Sequence, residues 1–213
     1  MAAALALVAG CSSAPGPQAP VPPPAVDAAP TSAQLIAGAA DSVNSIPGSA
    51  DALYIYRFKQ IEPGSSSFTF RDRDLSFVFR PTPSALYFRV QNLQGRPVTI
   101  DWDKSNFVDP DGRGGKVAHN SSRWRNRFTP QAQSQVPAQT EYSDFTFPMD
   151  FLLDPGTAQT TEIDSQPRRA LLTEDQTAVT NAGRIFGVDL AFLVEGQPRT
   201  YTFRFQVASV IPR

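Results

Sequence analysis

The chain has 213 residues, with 19 basic and 20 acidic side chains, one histidine and a formal net charge of −1 at pH 7. This balance, with no block of basic residues, argues against nucleic acid and anionic lipid surfaces as partners. The single cysteine, Cys11, excludes an internal disulfide, and the single histidine, His119, excludes a metal site with several histidine ligands. No cofactor is therefore expected.

Composition divides the chain into two parts. Residues 1–50 are rich in Ala, Pro, Ser and Gly and contain no aromatic residue, whereas residues 51–213 hold all fifteen Phe, both Trp and all five Tyr. A segment of about 160 residues is a normal size for one domain with its own core. We therefore expect a signal-peptide remnant at residues 1–10, a linker at 11–50 and a folded domain at 51–213.

The first eleven residues read MAAALALVAGC. A short apolar run of this kind is typical of a signal-peptide core and is too short to span a membrane. Residues 7–11, LVAGC, resemble the bacterial lipobox, which implies cleavage before Cys11 and attachment of a diacylglycerol to its thiol. The alternative is an Ala-rich N-terminus with a chance cysteine. Because no Lys or Arg precedes the apolar run, we expect the true translation start to lie upstream.

The linker begins with residues 12–30, which contain seven prolines. Such a composition favours an extended chain that rises about 3.1 Å per residue, so this stalk would reach roughly 60 Å. Residues 31–50 are expected to continue the stalk, with a short helix as the alternative. A serine at position 12, directly after the cysteine, is compatible with sorting of a lipoprotein to the outer membrane.

Apolar and polar residues alternate through most of the folded part, which predicts β-strands. The predicted strands are residues 53–58, 67–71, 75–80, 85–92, 98–103, 107–109, 116–119, 142–152, 186–194 and 201–207. Residues 85–92 and 98–103 are expected to pair as an antiparallel hairpin around Gly95, with a polar turn at 104–106 before the next strand. A second hairpin is expected around the turn at 195–199.

Short strands joined by Gly and Pro turns, without alternating helices, predict an all-β fold, namely a single antiparallel immunoglobulin-like β-sandwich. The polar segment 157–183 is ambiguous, although residues 171–176 could begin a helix capped by Thr173. Residues 120–140 have almost no apolar pattern. A loop of this length is uncommon in a compact domain unless it binds a partner or covers a sheet edge.

Four carboxylates, Asp101, Asp103, Asp109 and Asp111, fall within eleven positions. Carboxylates and carbonyls are the ligands that Ca²⁺ takes, so this cluster is a weak candidate metal site. It lacks the spacing of an EF-hand loop and its terminal glutamate. We favour turn chemistry at Asp109 and Asp111, with Asp101 and Asp103 facing solvent on their strand.

Arg123, Trp124, Arg125, Arg127 and Phe128 place cations between aromatic residues. This combination can stack on a ligand, grip carboxylates or anchor a protein interface. It can also cover a sheet edge with both aromatic rings packed inward, which is the interpretation that we favour. The segment remains the best candidate for partner binding.

The sequence offers little evidence for catalysis. His119 could act as an acid or base, but a hydrogen-bonded structural histidine at a strand end is the favoured interpretation. The chain contains no Gly-rich phosphate loop, Gly-x-Ser-x-Gly elbow or His-Glu-x-x-His run. We therefore predict a protein that is not an enzyme.

One stretch of the folded part resembles a group of uncharacterised bacterial lipoproteins with an immunoglobulin-like sandwich. The residues that carry the resemblance are Val90-Gln91-Asn92, Pro97-Val98-Thr99-Ile100-Asp101-Trp102-Asp103, Phe107-Val108-Asp109, Gly112 and Val117-Ala118-His119. The same stretch is more distantly similar to the late embryogenesis abundant group 2 sandwich. Neither resemblance implies catalytic residues.

The leading hypothesis is a lipid-anchored protein of the bacterial cell envelope, expected at the outer membrane, whose sandwich binds another envelope protein. One alternative is a module that binds a glycan or Ca²⁺. Another is a stress protein similar to the late embryogenesis abundant group 2. The expected attachment to the membrane is through the N-terminal lipid at Cys11.

Overall fold

A computed structural model describes residues 46–47, 54–154, 167 and 169–212. The predicted signal remnant, Cys11 and most of the predicted linker lie outside these ranges. The strands are β1 (Ile46–Pro47), β2 (Tyr54–Glu62), β3 (Gly64–Ser65), β4 (Thr69–Arg71), β5 (Leu75–Pro81), β6 (Leu86–Asn92), β7 (Val98–Val108), β8 (Gly114–Ala118), β9 (Ser134–Val136), β10 (Glu141–Pro148), β11 (Ile185–Val194) and β12 (Gln197–Pro212). Short 3-10 helices lie at Trp124–Asn126, Met149–Phe151 and Ala178–Asn181.

The strands form two antiparallel layers. In one layer the order is β4–β5–β6–β10, and in the other it is β2–β12–β11–β7, with β1 and β3 on β2 and β9 on β7. Strand β8 pairs with β7 through its first half and with β10 through its second half, so it joins the layers along one side. The predicted all-β sandwich is confirmed. No helix in the described ranges is long and apolar enough to cross a membrane.

The core lies between the layers and is rich in phenylalanine. Phe79 on β5 meets Phe203 on β12 with ring centroids 4.4 Å apart, and Phe77 on β5 meets Phe192 on β11 at 5.7 Å. All four side chains are at most 3% exposed. Phenylalanine rings bury large areas and favour such tilted and edge-on pairs, so these contacts hold the layers face to face.

The predicted hairpin of residues 85–92 with 98–103 is wrong. Strand β6 pairs with β5 and β10, whereas β7 pairs with β11, β8 and β9, so the two strands lie in opposite layers. The connection is held by Asn92, whose Nδ2 donates to the carbonyls of Arg96, Val136 and Pro137 at 2.8 to 3.0 Å. The apolar faces of the two strands therefore pack against each other across the core instead of side by side.

Strand β7 runs without the polar turn predicted at residues 104–106. A bulge opposite Asp189 and Ala191 lets the strand continue for 11 residues. In this bulge the Ser105 Oγ donates to the Asp101 carbonyl at 2.8 Å and accepts the Ala191 N–H at 3.0 Å. The expectation that Asp101 faces solvent is wrong, because its residue is only 7% exposed. Asp103 is exposed, as predicted.

The hairpin of β11 and β12 is confirmed, with ten paired positions. Its turn is shorter than predicted. Glu195 and Gly196, with φ of 52° and 76°, form the two-residue connection. Positive φ at both central residues matches the right-handed twist of paired strands.

The structure also differs from the predictions for several connecting segments. Residues 171–176 do not form a helix, and a single 3-10 turn follows instead at Ala178–Asn181. Residues 155–166 and 168 lie outside the described ranges. Ile46–Pro47, inside the predicted linker, pairs with β2. Part of the long loop at 120–140 becomes β9, which pairs with β7 and so covers that sheet edge.

One buried carboxylate predicts acid sensitivity. Asp74 is 1% exposed and accepts hydrogen bonds from Arg73, Arg199 and the Gln94 Nε2. The bond from Arg73, and then the one from Arg199, hold the Asp74 pKa below its ordinary value. A carboxylate with a lowered folded pKa adds stability above its unfolded pKa near 3.8, and this stability is lost as the pH falls through the folded value.

We therefore expect the urea midpoint of the wild type to fall between pH 6 and pH 3, and an Asp74→Asn variant to show a smaller fall over the same range. The measurement is urea denaturation at both pH values, followed by tryptophan fluorescence. An equal fall in both proteins would show that Asp74 does not contribute to the acid sensitivity.

Candidate functional site

The segment at residues 120–140 has a charge unlike that of the rest of the chain. It holds three arginines, no lysine and no Asp or Glu, which gives it a local charge of +3 in a chain of net charge −1. The arginines are Arg123, Arg125 and Arg127, all within or beside the 3-10 helix Trp124–Asn126. The surface formed by Arg123, Trp124, Arg125, Arg127 and Phe128 is called the arginine–aromatic patch below.

Arg127 is sandwiched between the two aromatic residues of the patch. Its guanidinium carbon lies 3.5 Å from the Trp124 ring centroid and 4.3 Å from that of Phe128, and its Nη1 donates to the Trp124 carbonyl at 2.7 Å. These contacts fix the cation by cation–π attraction and one hydrogen bond. The structure thus brings together three of the five patch residues that the sequence pattern indicated.

The two aromatic residues differ in burial. Trp124 is half-buried and packs against the core, as predicted. Phe128 is 81% exposed, so the prediction that it packs inward is wrong. The exposed Phe128 ring still contacts the Arg127 guanidinium, which also lies against Trp124. Arg125 is also exposed.

A cavity of about 330 Å³ opens beside the patch. Its wall includes Ser121, Arg123, Asn126, Arg127 and Gln131. His119, directly after β8, also lines it, together with Met149 from the 3-10 helix that follows β10. The volume is at the lower end of the range for small-molecule pockets, and the wall is mainly polar.

His119 follows β8 directly and is 2% exposed. Its ring stacks on Trp102, with centroids 4.0 Å apart and an interplanar angle of 11°. The Nδ1 lies 3.2 Å from the Asp144 Oδ2 on β10, and the Nε2 lies 3.2 Å from the Ser121 Oγ. The prediction of a hydrogen-bonded histidine at a strand end is confirmed.

Asp144 is the centre of this buried network. Its Oδ1 accepts the backbone N–H groups of Asn120 and Phe145 at 3.0 and 2.8 Å, and its Oδ2 accepts the Tyr142 hydroxyl at 2.5 Å. Burial, and then the hydrogen bond to Asp144, raise the pKa of Tyr142 above its ordinary value. Ser134 on β9 lies 3.3 Å from the Tyr142 hydroxyl and accepts the Trp102 Nε1–H at 2.9 Å, which ties β7, β9 and β10 together.

The four aspartates of the sequence cluster point to different partners. Asp109 is 4% exposed and caps its turn by accepting the Asp111 and Arg113 N–H groups, both at 2.9 Å. Asp111 forms salt bridges with three arginines, namely Arg113, Arg169 and Arg184. Asp103 forms a salt bridge with Lys116, and Asp101 forms one with Lys104. Within the described ranges, no group of three or more metal-ligating side chains is placed to hold a metal ion.

The sequence patterns did not indicate Ser121, Tyr142 or Asp144 as site residues. Ser121 is two positions from His119, so the sequence alone could have indicated that they lie close together. Asp144 is 25 positions from His119, and only the placement of β10 beside β8 brings the two together.

No protein-family model matches the chain, and neither the curated proteins nor the solved structures contain a match to it.

Proposed function

We propose that this chain is a lipid-anchored protein of the bacterial cell envelope whose sandwich binds an acidic surface of another envelope protein through the arginine–aromatic patch. The observation that carries the proposal is the exposed, charged patch itself, with Phe128 81% exposed beside Arg125 and Arg127. The role proposed for the patch is to bind this partner.

The chemistry of the patch favours a protein partner. Arginine and aromatic residues are enriched at the energetic centres of protein interfaces, because they combine large contact area with directed hydrogen bonds. The local charge of +3 in residues 120–140 favours a partner surface rich in Asp and Glu. Arginine pairs with carboxylates through two parallel hydrogen bonds, which adds geometric specificity.

The patch is also preorganised for binding. Arg127 is held by Trp124, by Phe128 and by the Trp124 carbonyl, while Trp124 is anchored against the core. Less side-chain entropy is then lost on binding than with free arginine side chains. Arg125 remains exposed and supplies a cation that a partner carboxylate can approach.

The anchor in this proposal is supported by the LVAGC sequence at residues 7–11 and by the proline-rich stalk that follows. A lipid on Cys11 would hold the sandwich in the envelope, and the stalk would let it reach a partner roughly 60 Å from the membrane.

Partner binding is tested by a double substitution, Arg125→Glu with Phe128→Ser, in the full-length tagged protein expressed in its native host. We expect at least a tenfold loss of a co-purifying envelope protein, because the variant reverses one charge and removes the exposed ring. Both side chains are exposed, so the fold should be preserved. Raising the salt concentration should weaken capture by the wild type.

The matched control is Arg71→Glu with Val78→Ser, which makes the same kinds of change at exposed positions of β4 and β5. This control should retain the partner. Equal loss in both double variants, equal retention in both, or capture of membrane lipid alone would contradict the proposed role of the patch.

The anchor has its own test. We expect the wild-type protein to fractionate with membranes and to carry the added mass of a lipid at Cys11, whereas a Cys11→Ser variant should be released as a soluble protein. Intact-mass measurement and membrane fractionation check both points. A soluble, unmodified wild type would refute the anchor and leave the binding patch to be judged separately.

A further inference from the structure

Ser121, His119 and Asp144 form a continuous hydrogen-bonded chain beside the cavity. The Ser121 Oγ is 3.2 Å from the His119 Nε2, and the His119 Nδ1 is 3.2 Å from the Asp144 Oδ2. A hydroxyl next to an imidazole that is oriented by a carboxylate is the arrangement that activates serine nucleophiles, and it recurs on unrelated folds.

The surroundings of Asp144 determine the direction of these hydrogen bonds. Its two oxygens accept two backbone N–H groups and the Tyr142 hydroxyl, in addition to the contact with His119. A carboxylate with these donors acts as an acceptor, so His119 carries its proton on Nδ1. The Nε2 lone pair is then directed at the Ser121 hydroxyl.

The turn that carries Ser121 is tightly held. The His119 N–H donates to the Ser122 Oγ, and the Ser122 N–H donates to the His119 carbonyl, both at 2.9 Å. The Ser122 Oγ donates in turn to the Gln131 Oε1 at 2.8 Å. Ser122 is thus fully engaged within the protein, while Ser121 projects from the corner of the turn toward the cavity.

The three hydrogen-bonded residues differ in their access to solvent. Ser121 is exposed and lines the cavity, whereas His119 and Asp144 are buried, with Trp102 covering one face of the imidazole. A buried base and an accessible nucleophile are what acyl transfer requires.

We propose that Ser121 is a nucleophile for hydrolysis of carboxylic esters that carry a negatively charged group. The charge requirement follows from Arg123 and Arg127, which line the same cavity and supply guanidinium groups for a carboxylate or phosphate. This activity is additional to partner binding and does not depend on it.

The reaction consumes only ester and water. The Ser121 Oγ forms a bond to the ester carbonyl carbon while its proton passes to the His119 Nε2. The bond between the carbonyl carbon and the alcohol oxygen breaks, and the leaving alcohol takes the proton from Nε2. Water then attacks the acyl-serine and gives one proton to Nε2, and that proton returns to the Ser121 Oγ as the acid leaves.

The first test is labelling of the full-length protein with a fluorophosphonate probe, which bonds covalently to activated serines with loss of fluoride. We expect the label on Ser121, none on a Ser121→Ala variant, and normal labelling of Ser143→Ala, a control that makes the same change at an exposed serine of β10. An unlabelled wild type, or a label that survives Ser121→Ala, would overturn the proposal.

The second test measures hydrolysis of two 4-nitrophenyl esters, one neutral and one bearing a carboxylate. Wild type should prefer the charged ester, and Ser121→Ala should reduce the rate about a hundredfold or more. Arg123→Gln should raise KM for the charged ester more than for the neutral one. Equal rates in wild type and Ser121→Ala would overturn the assignment, whatever the outcome of the partner-binding experiment.

Discussion

Replacing Asp144 with alanine is expected to lower the free energy of unfolding by about 3–5 kcal/mol, since removing one member of a buried polar network leaves the others unpaired. The His119 ring, the Tyr142 hydroxyl and the N–H groups of Asn120 and Phe145 would all lose the acceptor that they share. Both His119 and the Asp144 side chain are nearly inaccessible to water that could take its place.

Urea denaturation followed by tryptophan fluorescence measures this loss, and Trp102 stacks directly on His119. The matched control is Glu141→Ala on the same strand, which removes a carboxylate that is about half exposed and pairs with Arg89 at 3.3 Å. This control should change stability by less than about 1 kcal/mol. Similar losses in both variants would show that the Asp144 network does not stabilise the fold as proposed.

Replacing Gly187 with alanine is expected to destabilise the sandwich by about 3 kcal/mol or more. A Cβ on Gly187 would lie 2.0 Å from the Phe203 carbonyl oxygen and 3.0 Å from the Arg204 Cα. Both contacts are with the backbone of β12, which is paired with β11 over ten positions and cannot yield at one of them alone. The glycine is therefore required by the close approach of the two longest-paired strands.

The control for this variant is Gly115→Ala on β8, where a Cβ would meet nothing within 4 Å. This substitution should change the urea midpoint little, because no atom has to move. If Gly187→Ala were as stable as Gly115→Ala, the close pairing of β11 and β12 at this position would be incorrect.

Most strands and their buried faces were predicted from the sequence, but the assignment of strands to layers was not, because β6 and β7 lie in opposite layers. Leu86, Phe88 and Val90 alternate with polar residues, and the structure buries all three. Alternation identifies the buried face of a strand and says nothing about which strand lies beside it. Asn92 holds the connection from β6 to β7 in the opposite layer, and no local sequence pattern marks that role.

The candidate site was also predicted only in part from the sequence. Arg123 to Phe128 stood out because cations and aromatic residues alternate within six positions, and the structure confirms that Arg127 and its rings contact one another. The spacing of these residues did not reveal that Trp124 packs against the core while Phe128 is 81% exposed. Asp144 reaches His119 only through the arrangement of β8 and β10.

Photo-crosslinking from position 128 tests the proposed binding role most directly. Phe128 would be replaced by p-benzoylphenylalanine in the full-length protein in living cells, with Tyr87, 42% exposed on β6, as the matched position. We predict a discrete crosslink to an acidic envelope protein from position 128 but not from 87, and its loss when Arg125→Glu is added. The same products from both positions, or crosslinks from 128 to lipid alone, would contradict binding through the arginine–aromatic patch.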